Sequence, residues 1–110
     1  MRQAGVIAAA ALYALDHNVE RLADDHARAR RLADGLGLDV SVVDTNFVAL
    51  PDPGDGEARL AERGILVSNL RPGMLRAMTH LDVSDDDIDR ALEVIPKALG
   101  ATRTAVPRAR

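Results

Sequence analysis

Nearly a third of the chain, residues 3–35, reads as helix, and this stretch constrains the fold more than any other. Leu15, Val19, Leu22, His26, Ala29, Ala33 and Leu36 recur at spacings of four and three, which places them on one helical face. Asp24, Asp25, Arg28 and Arg31 lie mostly off that face, spaced to pair three or four residues apart. From Val6 to Ala14 the helix is apolar nearly all round, which predicts burial on more than one side. "DHN" at 16–18 marks a bend or a break, and Gly35 and Gly37 end the helical stretch.

The pattern then changes. β-branched residues predict two short strands, 38–43 and 46–50, closed by a loop at Pro51, Pro53, Gly54 and Gly56. "EARLAERG" (57–64) reads as a short helix, "ILVSN" (65–69) as a strand, "LRPG" (70–73) as a turn and "MLRAMTH" (74–80) as another strand. A last helix follows Ser84, a natural N-cap, with Asp85, Asp86 and Asp87 in the dipole-favoured first turn. Ile88, Leu92 and Ile95 form its inner stripe, and Pro96 should bend or shorten it. The order is helix, strand, strand, helix, strand, strand, helix. It predicts an α/β chain of the α+β kind: a small, mostly antiparallel sheet with a long N-terminal helix and helices packed on one side.

The 110 residues suit one domain, residues 1–100, followed by a mobile basic tail, 101–110, which has no period and few large apolar residues. Tyr13 and Phe47 are the only aromatic residues, so the core must be aliphatic. Net charge is −3; Arg103, Arg108 and Arg110 account for three of 14 basic residues, leaving 11 against 17 acidic ones, or −6, in residues 1–100. That balance argues against nucleic acid as a partner. The absence of cysteine removes thiolate chemistry and favours a cytoplasmic setting. "GVIAAAALYAL" (5–15) mimics a signal-peptide core, but no clean cleavage site follows and the helical pattern runs on past Asp16. The run is too short to span a bilayer, which needs roughly 20 residues.

Few residues are placed for chemistry. His17, His26 and His80 have no metal-ligand spacing; His26 lies on the apolar stripe, and His80 suits a cap on the turn before Asp82. Three successive helical aspartates diverge, so 85–87 form a helix start rather than a metal site. Gly54 and Gly56 lack the residues of a phosphate loop, and Ser41, Ser68 and Ser84 lie in no nucleophile elbow. The one lysine, Lys97, sits near a helix end beside the tail, a poor place for an imine-forming amine.

Arg76 stands out. Strand alternation puts Leu75, Ala77 and Thr79 on one face and Arg76, Met78 and His80 on the other. Arg76 is the charged residue for which burial is plausible, and a buried guanidinium demands a partner. That partner is a protein group or a ligand. The plainer alternative is a local aspartate, or a solvent-facing place on an edge strand.

"MRQAGVIAAAALYAL" with "NVERLADDHARARRLADGL", then "DTNFVAL", then "LRAMTHLDVSDDDIDRALEVI" closely resemble, in the same order, segments of low-specificity L-threonine aldolases. The resemblance covers roughly residues 1–97. It implies the small domain, with its linking helix, of a pyridoxal-phosphate enzyme of aspartate-aminotransferase fold type. Such enzymes cleave β-hydroxy-α-amino acids to glycine and an aldehyde. By the same resemblance Arg76 is the ligand of the substrate α-carboxylate and Arg2 lies near the cofactor phosphate. The cofactor lysine, the ring-stacking histidine and the aspartate for the pyridine nitrogen would lie outside this sequence, so the chain alone is expected to be an inactive fragment. Its expected partners are a large cofactor-binding domain or a second subunit, against which helix 3–15 would lay an apolar face. Two alternatives stand: the small domain of a related β-eliminating lyase, and a non-catalytic module dimerising through its long helix.

Overall fold

The computed structural model describes residues 2–100; the expected tail, 101–110, lies outside them. Elements follow in the order α1 (Ala4–His17), α2 (Leu22–Gly35), a 3-10 turn (Val40–Val42), β1 (Phe47–Pro51), α3 (Gly56–Ala61), β2 (Ser68–Arg71), β3 (Met74–Met78) and α4 (Asp85–Leu99). The three strands form one antiparallel sheet in the order β1-β3-β2. This is the α+β architecture the sequence predicts, with one strand fewer.

The core lies between the sheet and the helices. Val48, Leu50, Leu75 and Ala77 project from one sheet face into a cluster with Ala29, Leu32, Ala33 and Leu36 of the α2 region and Ile88, Ile95 and Ala98 of α4. It is wholly aliphatic, as the composition requires. Leu92 of the expected α4 stripe is only partly buried, packed against this cluster. Around the core, α2 and α4 are joined by ion pairs from Arg28 to Asp85, at 2.9 Å, and from Arg31 to Asp89.

The long helix is broken rather than continuous. Between α1 and α2 the backbone turns through i→i−3 hydrogen bonds, Leu22 to Val19, Ala23 to Glu20 and Asp24 to Arg21. α2 ends where Gly37, at φ +73°, lets Leu38 N–H reach Ala33 C=O and its own N–H reach Asp34 C=O. That is a Schellman cap, and glycine takes the left-handed conformation it needs without steric cost. α1 buries none of its residues. The expected burial of Val6–Ala14 therefore does not occur among the described residues; Val6, Ile7, Leu12, Tyr13 and Leu15 are all exposed.

Two further expectations are corrected, and one alternative of a third, the shortening at Pro96, is removed. Residues 38–43 form no strand: the Asp39 carboxylate accepts from Ser41 N–H at 2.9 Å and from Ser41 Oγ at 2.6 Å. This local turn outcompetes the β-branched side chains. The strand read at 65–69 starts only at Ser68. Ile65 instead donates to Leu60 C=O and Gly64 to Ala61 C=O, a second Schellman cap that ends α3. Pro96 does not shorten α4, which continues to Leu99. Its start matches the reading, with Ser84 Oγ accepting from Asp87 N–H and Asp87 accepting from Ser84 N–H in a capping box.

Candidate functional site

Arg76 sits at the middle of β3, the central strand. The alternation read from the sequence is present: Leu75, Ala77 and Thr79 are buried, while Arg76, Met78 and His80 are exposed. Among the described residues Arg76 is thus not buried; it faces solvent, as the plainer alternative has it, but from the central strand rather than an edge. Its cross-strand neighbours are Ala49 on β1 and Ser68 on β2, both small. Larger apolar residues share the same face at the next register positions: Phe47 opposite Met78, and Pro51 opposite Met74. Arg76 therefore stands between two small cross-strand neighbours on a face it shares with Phe47, Pro51, Met74 and Met78, and Arg71 of β2 lies opposite Met74 at the far end of that face.

The guanidinium has one polar partner among the described residues. Nε donates to Ser68 Oγ at 3.1 Å. No aspartate pairs with it, against the local-pair alternative, and neither Nη1 nor Nη2 makes a hydrogen bond. Arginine presents five N–H donors in a planar fork, so four remain available.

The far end of β3 is fixed from two sides. Thr79 N–H donates to Asn46 C=O at 3.0 Å, and Asn46 Nδ2 donates back to Thr79 C=O at 2.7 Å. Thr79 Oγ1 donates to the Asp25 carbonyl at 2.6 Å, tying β3 to α2. Asp25, itself buried, receives Arg21 through both oxygens at 2.9 and 3.0 Å. The segments "DTNFVAL" and "LRAMTH" thus lie side by side, and these bonds set the position from which Arg76 projects. Reading the sequence missed Asn46 and Ser68 as supports; the signal was the antiparallel register itself.

The other candidates are accounted for structurally. Arg2 is exposed in the turn ahead of α1, and no hydrogen bond or ion pair joins it to Arg76. His17 stacks on Tyr13 with ring centroids 4.1 Å apart, and His80 Nδ1 accepts from Asp82 N–H at 3.2 Å, the expected turn cap. Asp85 and Asp87 serve α4. The hydrogen bond from Arg28, and then its charge, lowers the Asp85 carboxyl below the usual range. Hydrogen bonds from Ser84 do the same for Asp87. Among the described residues no group of three His, Cys, Asp or Glu side chains could hold a metal ion. None of their helices is long and apolar enough to cross a membrane. Lys97 is paired with Glu93 at 3.1 Å, both 69% exposed, near the end of α4. A groove of about 430 Å³ with an apolar floor of Leu32, Val67, Ile88 and Ile95 opens where residues 65–67 leave the sheet, and Arg76 takes no part in it.

Residues 1–50 match the beta-eliminating lyase family. Over 88% of its length the chain is 36% identical to a probable low-specificity L-threonine aldolase 2 of Arabidopsis thaliana. Over 80% it is 41% identical to the low specificity L-threonine aldolase of Escherichia coli K12, and over 90% it is 33% identical to a second Arabidopsis enzyme, low-specificity L-threonine aldolase 1. It spans 31%, 28% and 31% of the lengths of these relatives. By sequence, then, the chain is similar to low-specificity L-threonine aldolases over somewhat under a third of their length, and residues 1–50 are similar to the beta-eliminating lyase family.

Proposed function

We propose that this chain is the carboxylate-holding part of a threonine aldolase, an enzyme that cleaves L-threonine-type β-hydroxy-α-amino acids to glycine and an aldehyde. The observation that supports this reading most is Arg76: an exposed cation in the middle of the central strand, flanked by the small Ala49 and Ser68, with neither terminal nitrogen engaged among the described residues. A planar fork of that kind matches a carboxylate with two parallel hydrogen bonds. Lysine, a point charge on a flexible stem, cannot copy the geometry.

The family is pyridoxal-phosphate dependent. A pyridoxal enzyme needs a lysine with a lowered pKa in a secluded pocket. The exposed, ion-paired Lys97 does not fit, so these residues alone do not hold the cofactor covalently. In the complete enzyme the cofactor, when bound, supplies the electron sink. Arg76 anchors the α-carboxylate and so fixes how the substrate's Cα–Cβ bond is presented. Arg2 takes the cofactor phosphate in this reading; its support is the resemblance of "MRQAG" alone.

The same reading gives α1 its partner. At 1.5 Å per residue, 14 helical residues make a cylinder about 21 Å long and about 10 Å across, roughly 660 Å² of side surface. Two copies meeting along one side bury less than half of each, below the ~1,000 Å² a specific interface needs. A helix exposed and apolar all round fits enclosure by a larger body, the cofactor-binding remainder of the enzyme.

The test is Arg76→Ala, with Arg76→Lys beside it, in the complete holoenzyme. Removing one partner of a buried charged pair costs about 2–5 kcal/mol, a loss of roughly 30- to several-thousand-fold in kcat/KM for threonine. A loss below threefold contradicts the proposal. The match of residues 1–50 to the beta-eliminating lyase family supports a second reading, a lyase with a different leaving group. Arg76 keeps its role there, and absence of glycine among the products identifies it.

A further inference from the structure

Arg76 can meet a carboxylate in two ways: side-on, through Nε and one terminal nitrogen, or end-on, through Nη1 and Nη2. The two place the carboxylate plane, and everything attached to it, at different positions over the sheet. The structure favours one of them. Ser68 Oγ accepts from Nε at 3.1 Å, and Ser68 is directly opposite Arg76 in the β2–β3 register. Ser68 is half-buried in a strand and Ala49 occupies the other flank, so a small side chain stands on each side of the guanidinium.

We infer that Ser68 is a positioning residue that engages Nε of Arg76 and so commits it to end-on binding of the substrate carboxylate through Nη1 and Nη2. This rests on the reading of Arg76 given above. Ser68 never touches the substrate; it selects which edge of the fork is presented. Lacking the hydroxyl, Arg76 would keep its charge but present both edges, and a fraction of substrate would bind in the wrong orientation.

The test uses the complete holoenzyme with Ser68→Ala, Ser68→Val and Ser68→Thr, each alone and combined with Arg76→Lys. Val and Thr are both β-branched and suit a strand, and they differ by hydroxyl against methyl. Loss of one net hydrogen bond corresponds to a rise of about three- to tenfold in KM for threonine in the Ala and Val variants, with a smaller change in kcat. Thr should stay within about twofold of the parent by the same measure. In the Arg76→Lys background, Ser68→Ala should add nothing, because lysine has no Nε.

A second readout needs no catalysis. Exchange of the Arg76 Nε proton with water, followed by NMR in the 110-residue chain, should be slow in the parent and Ser68→Thr and faster in Ser68→Ala. The failures separate. If Arg76→Lys is harmless, the carboxylate reading falls. If Arg76→Lys is harmful but Ser68→Ala matches the parent, or Thr behaves like Val, or the exchange rates are equal, the role of Ser68 falls and the reading of Arg76 survives.

Discussion

Two adjacent residues of β3 should respond to truncation in opposite ways. Leu75 is 0% exposed and its Cδ1 lies 3.0 Å from where a Cβ on Gly56 would be, so it fills the space between the sheet and the start of α3. Leu→Ala at such a site costs about 2–5 kcal/mol, from lost transfer energy and the cavity left behind. Against a total stability of about 5–15 kcal/mol for a domain of this kind, that is a large share. Arg76, one residue on, is exposed and makes one hydrogen bond, to a serine, and no ion pair. Surface changes of this type fall within about 0.5 kcal/mol. The assay is urea unfolding of the 110-residue chain. With m of about 1.5 kcal/mol/M, Leu75→Ala should lower the midpoint by roughly 1.5–3 M, and Arg76→Ala by less than about 0.3 M. A loss above about 2 kcal/mol in Arg76→Ala would show that the guanidinium holds the sheet together. The argument that it is there for a ligand would then fail.

Other outcomes follow from the same geometry. The folded-state carboxyls of Asp85 and Asp87 are lowered, so their contribution to stability is present above the ordinary carboxylate value. It is lost as pH falls below about 4 toward the folded values; urea midpoints between pH 6 and 2 should fall less steeply in Asp85→Asn and Asp87→Asn than in the parent. Gly56→Ala should cost about 1–3 kcal/mol by overcrowding, since its Cβ would lie 2.7 Å from both Asp52 Oδ1 and Leu99 Cδ2. Gly35→Ala should cost less in the same melts, because the new methyl meets only the end of Leu92, 2.4 Å away and free to move, and helix propensity offsets part of the strain. Ile7→Glu with Leu12→Glu should leave the urea unfolding midpoint of the isolated chain unchanged, since both side chains are exposed. The same pair should block assembly of the complete enzyme, and normal assembly would contradict the enclosure of α1.

Much of this fold was readable because local chemistry and tertiary structure agree. Ser84 with Asp87, the glycine that closes α2, and the alternation through 75–79 each specify their conformation from neighbouring residues alone. The misread stretches are places where a local polar contact or a cap overrides side-chain preference. Val40, Val42 and Val43 favour a strand, yet Asp39 and Ser41 fold the segment into a turn. Ile65 and Val67 favour a strand too, but Ile65 is spent on closing α3. For the site, the exposed side of Arg76 follows from period two. Its small flanking residues do not, because Ala49 and Ser68 become neighbours only through a register that joins three separate segments. The all-round apolar character of α1 was visible, but the burial expected from it is not met among the described residues.

The most direct measurement is the structure of the complete enzyme with glycine bound. The account predicts both carboxylate oxygens about 2.7–2.9 Å from Nη1 and Nη2 of Arg76, the spacing of charge-assisted hydrogen bonds. A carboxylate gripped by other side chains, with the Arg76 guanidinium facing open water, would contradict it.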